Sequence, residues 1–129
     1  MRFAYTIVYV ADRLASIGFF ERAFGLARGF VTPTGEYGEL QTGGTTLSFA
    51  QHATARANLG HDYVVAETSV LPLGIEIGLV TDDVPAACER AVAAGAALLH
   101  PPVTKPWGQT VAYVRCPDGT LVELCTAMG

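Results

Sequence analysis

The sequence predicts an α+β domain made of two copies of a strand–helix–strand–strand–strand unit. Each half begins with a β-branched and aromatic run that is typical of a strand. An aspartate and an apolar pattern of helical period follow, and the pattern ends at a glycine in both halves. Three shorter strand-like segments come next. We therefore expect paired βαβββ modules over residues 1–52 and 73–129, joined by a linker at 53–72 within one domain, 1–129.

In the first half, residues 5–10 predict a strand and Asp12 stands where its carboxylate can cap the next helix. Gly25 suits the left-handed position that ends a helix. The apolar face of this helix comprises Leu14, Ile17, Phe20 and Phe24. Three further strands are expected at residues 28–32, 36–41 and 45–50.

The second half repeats this order, beginning with a strand at residues 75–80. Asp83 supplies the cap and Gly95 ends the helix. A shift of 71 positions places Asp12 on Asp83, which indicates an internal repeat, although any two β–α units share some likeness. The apolar face comprises Val84, Cys88, Ala91 and Val92, and the later strands are expected at 97–99, 110–115 and 121–125.

The linker at 53–72 differs in character from both halves. Residues 53–59 are compatible with a short helix, whereas 60–71 show no clear period. A connection of this length in a compact domain is usually functional or mobile.

Composition excludes several classes of protein. Half of the residues are hydrophobic and 16% are charged, which is incompatible with a disordered chain. A net charge of −4 without a Lys/Arg cluster argues against nucleic-acid binding, and no apolar run approaches the length of a membrane span. Cys88, Cys116 and Cys125 form no paired motif, and we expect them to be reduced thiols. With no leader pattern at the N-terminus, we expect a cytoplasmic protein.

Four segments carry a resemblance to a known family. They are Phe-Phe-Glu-Arg-Ala-Phe-Gly-Leu at 19–26, Ala-Ala-Gly-Ala at 93–96, Pro-Trp-Gly-Gln at 106–109 and Pro-Asp-Gly-Thr-Leu-Val-Glu-Leu at 117–124. In this order they resemble the vicinal oxygen chelate superfamily, which holds the glyoxalase, bleomycin-resistance and dioxygenase proteins. The resemblance implies curved sheets that cup a cavity. In its metalloenzymes, the first and fourth strands of each module supply the ligands of a divalent ion.

Carried onto this sequence, the four ligand positions of that family match Tyr5, Ser48, Glu76 and Glu123. Metalloenzyme members usually have His or Gln, Glu, His and Glu there, so Glu123 alone is retained. Borderline transition metals prefer imidazole donors, and we therefore expect no tightly bound transition metal and no other cofactor. The alternative is a divalent ion held by Glu76 and Glu123, because oxygen donors suit Mg²⁺, Ca²⁺ or Mn²⁺.

Without a metal, Glu76 and Glu123 on one cavity would repel each other and raise one carboxyl pKa. Such a pair can act as a general acid and base, or can receive a cationic ligand. Glu76 paired locally, with Tyr5 or an arginine, is the alternative.

Two further residues are candidates for the cavity. His52 continues the inward register of the fourth strand, either as a base that contacts the ligand or as a solvated residue at a loop start. Trp107, the single tryptophan, offers a flat stacking surface at the cavity border, or else fills the core.

These observations predict a bleomycin-resistance-like protein that binds a small aromatic or cationic molecule between βαβββ modules. Members of the family usually complete their cavities by pairing modules, so the resemblance predicts a homodimer. The alternative function is an enzyme: a metal-dependent lyase, isomerase or dioxygenase with an atypical ligand set, or a carboxylate acid/base catalyst.

Overall fold

Two four-stranded mixed sheets form the framework in the computed structural model, which describes residues 1–128. The first sheet has the strand order β1–β4–β3–β2 and the second the order β5–β8–β7–β6. The first contains β1 (Tyr5–Val10), β2 (Ala27–Val31), β3 (Tyr37–Gln41) and β4 (Thr46–Gln51). The second contains β5 (Glu76–Val80), β6 (Ala97–Thr104), β7 (Thr110–Arg115) and β8 (Leu121–Cys125). The predicted α+β fold of two βαβββ units is confirmed.

The described residues also form three α-helices: α1 (Arg13–Phe24), α2 (His52–Leu59) and α3 (Val84–Ala94). The Asp12 carboxylate accepts hydrogen bonds from two amides of the first turn of α1, and the Asp83 carboxylate caps α3 by accepting from the Ala86 amide. Gly25 ends α1 at φ 70°, where a side chain would be strained. The linker contains α2 and one 3-10 turn, Ala66–Thr68.

The strand registers repeat between the sheets. β1 and β4 pair in parallel with Tyr5 opposite Thr46, and β5 and β8 pair in parallel with Glu76 opposite Leu121. Three pairs of residues therefore hold equivalent places in the two sheets: Tyr5 and Glu76, Ser48 and Glu123, and Glu39 and Tyr113.

The core lies where α1 and α3 pack against each other and against one face of each sheet. Its fully buried side chains include Val10, Ile17, Phe20, Phe49, Val84, Val114 and Val122. Leu14 and Val92, which were expected on the buried helix faces, are 41% and 43% exposed. The other predicted positions Ile17, Phe20, Val84, Cys88 and Ala91 are buried as expected.

The edge strand β6 is longer than the predicted 97–99 because it continues through Pro101 and Pro102 to Thr104. Proline is tolerated at a sheet edge, where its missing N–H breaks no ladder. None of the helices in the described chain has the length and apolar character that a membrane span requires.

Candidate functional site

Each sheet has one face against the helices and an opposite face, which we call the inner face. In β1, Val8 and Val10 pack on the core side. Successive side chains of a strand point to opposite faces, so Tyr5 and Ile7 lie on the inner face. The polar residues of the two inner faces include Tyr5, Tyr37, Glu39 and Ser48 in the first sheet, and Glu76, Tyr113 and Glu123 in the second.

The polar group on the first inner face is built around a phenol and a carboxylate. The Tyr37 hydroxyl donates to Glu39 Oε2 at 2.7 Å. Ser48 is completely buried and its hydroxyl donates to the Thr6 carbonyl oxygen at 3.3 Å. Burial raises the pKa of Tyr37 to about 12, and the neighbouring Glu39 adds to this while the Ser48 hydroxyl opposes it. Tyr37 therefore stays a neutral hydrogen-bond donor at physiological pH.

The polar group on the second inner face is acidic. The Tyr113 hydroxyl donates to Glu123 Oε1 at 3.1 Å. Burial and then the charge of Glu123 raise the pKa of Glu76, and burial and Glu123 likewise raise the pKa of the Tyr113 phenol. Two neighbouring carboxylates favour the uptake of a proton or a cation at this face.

The structure brings the four predicted ligand positions together in pairs. Tyr5 lies near Ser48 on the first inner face, and Glu76 lies near Glu123 on the second. Within residues 1–128, no hydrogen bond or ion pair joins the two polar groups. A single chain thus presents two separate polar groups, one on each inner face, which we call half-sites.

His52 lies at the start of α2 and not in the strand that it was expected to extend. Its Nε2 pairs with the Glu67 carboxylate and its Nδ1 with the Tyr63 hydroxyl. The Tyr63 ring packs on Tyr9 with ring centroids 4.8 Å apart. The linker therefore covers the far end of the first inner face, and His52 holds the linker in place there.

Trp107 is 64% exposed, so it does not fill the core. Its indole Nε1 donates to Gln109 Oε1 at 3.0 Å, and Gln109 Nε2 donates to the Thr126 carbonyl oxygen at 2.9 Å. Thr126 follows β8 directly, and Trp107 is thereby fixed beside the end of the strand that carries Glu123.

The polar groups on the inner faces that were matched to ligand positions, with their neighbours, are carboxylates, phenols and one hydroxyl. No group of three or more His, Cys, Asp or Glu side chains placed to hold a metal ion occurs between residues 1 and 128. Glu76 and Glu123 supply two carboxylates, and Tyr113 beside them is a phenol whose raised pKa keeps it protonated.

Sequence reasoning missed several polar residues that the structure places at or near the half-sites. Glu39 stands opposite Ser48, and Tyr113 stands opposite Glu123. Alternation along β3 and β7 could have identified both residues once the register was known. Tyr63 and Glu67 carried no periodic signal, because they lie in the linker.

Comparisons with known proteins agree with this architecture. The family model described as the Glyoxalase/Bleomycin resistance protein/Dioxygenase superfamily matches residues 2–124. No curated protein matches the chain significantly.

Solved structures are similar over nearly the whole chain. A glyoxalase-related enzyme from Fulvimarina pelagi is 27% identical with a TM-score of 0.82, and the match covers 96% of this chain and 86% of that chain. A glyoxalase/bleomycin resistance protein/dioxygenase family enzyme from Burkholderia phytofirmans PsJN is 18% identical with a TM-score of 0.82, covering 99% and 100%. TioX from Micromonospora sp. ML1 is 24% identical with a TM-score of 0.68, covering 98% of each chain.

Proposed function

The chain belongs to the Glyoxalase/Bleomycin resistance protein/Dioxygenase superfamily, and from that premise we propose that it binds a small aromatic, cationic molecule without a tightly held transition metal. The observation that carries this proposal is the position of Glu76 beside Glu123 on the second inner face, since Glu76 stands opposite Leu121, two residues before Glu123 on the adjacent strand. A bound cation would neutralise two carboxylates that otherwise repel each other. Tyr113 and Trp107 supply aromatic surface at or beside the same face.

We further propose that the protein is a homodimer in which the first inner face of one protomer meets the second inner face of its partner. The separation of the two half-sites within one chain supports this arrangement. So does the exposure of apolar side chains on or beside the inner faces, such as Ile7 at 46% and Val80 at 66%. A twofold pair would complete two identical cavities. A monomer in light scattering at tens of micromolar protein would contradict the dimer.

Binding is tested with benzylammonium, an aromatic cation that donates hydrogen bonds, against its neutral analogue benzyl alcohol and the anion benzoate. We expect benzylammonium to bind best and to change the fluorescence of Trp107. Replacing Glu123 with Gln removes a charged hydrogen bond that contributes about 1.5–3 kcal/mol, so affinity should fall roughly 10- to 150-fold.

Glu89→Gln is the matched control, because Glu89 is an exposed carboxylate on α3, away from both inner faces. It removes the same charge and should leave affinity unchanged. Equal binding of the cation and the neutral alcohol, or full affinity in Glu123→Gln, would refute the proposed site.

The second candidate is a divalent-metal enzyme of the same superfamily, a lyase, isomerase or dioxygenase. The observation that favours it is again Glu76 beside Glu123, since paired carboxylates are oxygen donors for hard cations. Metal analysis of protein purified without chelator separates the two candidates. A stoichiometric metal that is lost in the Glu76→Gln, Glu123→Gln double variant would favour the enzyme.

A further inference from the structure

Two grooves on the helix side of the sheets, one along α1 and one along α3, are related by the internal repeat. Four residues of α1 or its cap line the α1 groove, and their counterparts line the α3 groove: Asp12, Ala15, Ser16 and Phe19, and Asp83, Ala86, Ala87 and Arg90. Each counterpart follows by 71 positions, the shift that relates the two modules. The two grooves therefore hold equivalent places in the fold and differ in their side chains.

The protein fills the α1 groove with a carboxylate of its own. Asp118, in the turn before β8, lines this groove and is 8% exposed. Its Oδ2 accepts a hydrogen bond from the Ser16 hydroxyl at 2.8 Å, and its Oδ1 accepts one from the Thr120 amide at 3.0 Å. This place in the fold therefore accommodates a carboxylate beside the helix.

The α3 groove stays open. The turn before β4, at 42–45, is the counterpart of the turn that carries Asp118, and none of its four residues lines the α3 groove. That turn contains Gly43 and Gly44 and carries no carboxylate. The open groove measures about 380 Å³, within the range of small-molecule sites. Its floor is apolar and includes Ala23, Phe24, Leu26, Leu79 and Leu124.

Arg90 places a positive charge at one end of the α3 groove. Its Nε donates to the Arg22 carbonyl at 2.8 Å and its Nη2 to the Glu21 carbonyl at 3.5 Å, which holds the guanidinium against the end of α1. Its Nη1 forms no hydrogen bond within residues 1–128, so that nitrogen is available to a ligand. Asp83 lies seven residues earlier, which corresponds to about 10 Å along a helix axis. The groove thus has a positive end and a negative end, with an apolar floor between them.

We propose that the α3 groove binds a medium-chain aliphatic monocarboxylate, with its carboxylate at Arg90 and its alkyl chain along the apolar floor towards Asp83. A guanidinium forms charge-assisted hydrogen bonds with a carboxylate, and the chain removes apolar surface from water. The ligand carries a single negative charge because Asp83 repels a second one at the far end. The polar residues of the inner faces do not line this groove, so the site does not depend on the function proposed above.

The test is an amide NMR titration of the full chain with hexanoate, 1-hexanol and adipate. These probes share a six-carbon chain and differ in charge. We expect hexanoate to give saturable shifts at the amides of Ala86, Ala87 and Arg90, and to bind more tightly than the neutral alcohol or the dianion. Benzylammonium should leave these amides unshifted, so the two sites can fail separately.

Ala87→Ser is the sharpest variant, because it copies the hydroxyl of Ser16 into the α3 groove. Position 87 lies one turn before Arg90 on the same face of α3, so one carboxylate can contact both side chains. The variant should tighten hexanoate by about 3- to 10-fold. Ala93→Ser is the matched control, because Ala93 is an exposed alanine of α3 that does not line this groove. It should leave the affinity unchanged.

Arg90→Gln removes the positive charge from the groove. Because Arg90 is exposed, the expected weakening of hexanoate is about 2- to 5-fold, with 1-hexanol unchanged. Arg22→Gln removes the same charge from an exposed arginine that lines the α1 groove and not the α3 groove. This control should change neither affinity.

Four results would overturn the proposal. Hexanoate gives no saturable shifts, adipate binds as tightly as hexanoate, or Ala87→Ser binds hexanoate no more tightly than Ala93→Ser. The fourth is a shift of the Ala86, Ala87 and Arg90 amides that grows with protein concentration and persists in hexanoate, which would place a second copy of the chain in the groove.

Discussion

The inner faces of the two sheets share a strand order and a register, yet they carry opposite chemistry. On the first face, the phenols of Tyr5 and Tyr37 accompany one carboxylate, Glu39. On the second face, the carboxylates of Glu76 and Glu123 accompany one phenol, that of Tyr113. The two inner faces also differ in what packs on them. α2 and the rest of the linker pack over the Tyr9 end of the first inner face.

This difference indicates that the residues that maintain the repeat are not the residues that form the candidate site. The aspartate caps and the buried faces of α1 and α3 recur in both modules and hold the two sheets in the same form. Inner-face residues contribute little to the core, so they can diverge without loss of fold. A face with more phenols than carboxylates and a face with more carboxylates than phenols complement each other if they meet across a twofold axis.

The largest effect should come from glycine in the turn before the last strand of each sheet. Gly119 has φ +89°, and a Cβ there would collide with the backbone of Ala66 and lie 2.6 Å from the Glu67 amide nitrogen. Gly43, in the turn before β4, has φ +86° with open space around it. We expect Gly119→Ala to lower the free energy of unfolding by about 3 kcal/mol, from left-handed strain plus the collision, and Gly43→Ala by about 1 kcal/mol.

Urea unfolding followed by circular dichroism measures both values. An equal loss of unfolding free energy in the two variants would mean that the linker does not pack closely against the 117–119 turn. The asymmetry between the two modules would then lie elsewhere.

A smaller effect is expected at the contact that holds the linker on the first face. His52→Ala leaves the half-buried Glu67 carboxylate and the Tyr63 hydroxyl without their imidazole partner. We expect a loss of about 1–3 kcal/mol and faster hydrogen exchange at the amides of residues 63–68. His61→Ala is the control, since His61 is exposed, and should stay within about 0.5 kcal/mol. Unchanged exchange in His52→Ala would show that the linker is held by other contacts.

The sequence predicts the helices, their caps and most strands well because these depend on short-range patterns. Asp12 followed by apolar residues at helical spacing is enough to place α1. The position of the linker was not predictable in this way, because the contact of Tyr9 with Tyr63 joins residues that no local periodicity relates. The equivalence of Ser48 and Glu123 follows from residue spacing, whereas their separation within one chain depends on how the modules pack.

The smallest effect, and the one most specific to the second face, is the pH dependence of Glu76→Gln. The pKa of Glu76 is raised above its ordinary value of 4.5, first by burial and second by Glu123. An acid with a raised folded-state pKa makes the protein less stable as pH rises from below the unfolded pKa through the folded one. Glu76→Gln removes this cost, so near neutral pH the variant should be slightly more stable than the parent.

Because Glu76 is only partly desolvated and the residue remains exposed, solvent screening limits the gain to about 0.3 kcal/mol, or about 1 °C in melting temperature. The gain should vanish below about pH 4, where the carboxyl is protonated in both states. Most of it should survive high salt, since burial outweighs the charge of Glu123. Glu39→Gln tests the first face, where the amide oxygen still accepts from Tyr37, and should bring no gain at any pH. A gain of the same size in both variants would indicate a general effect of net charge and would remove the contrast between the two faces.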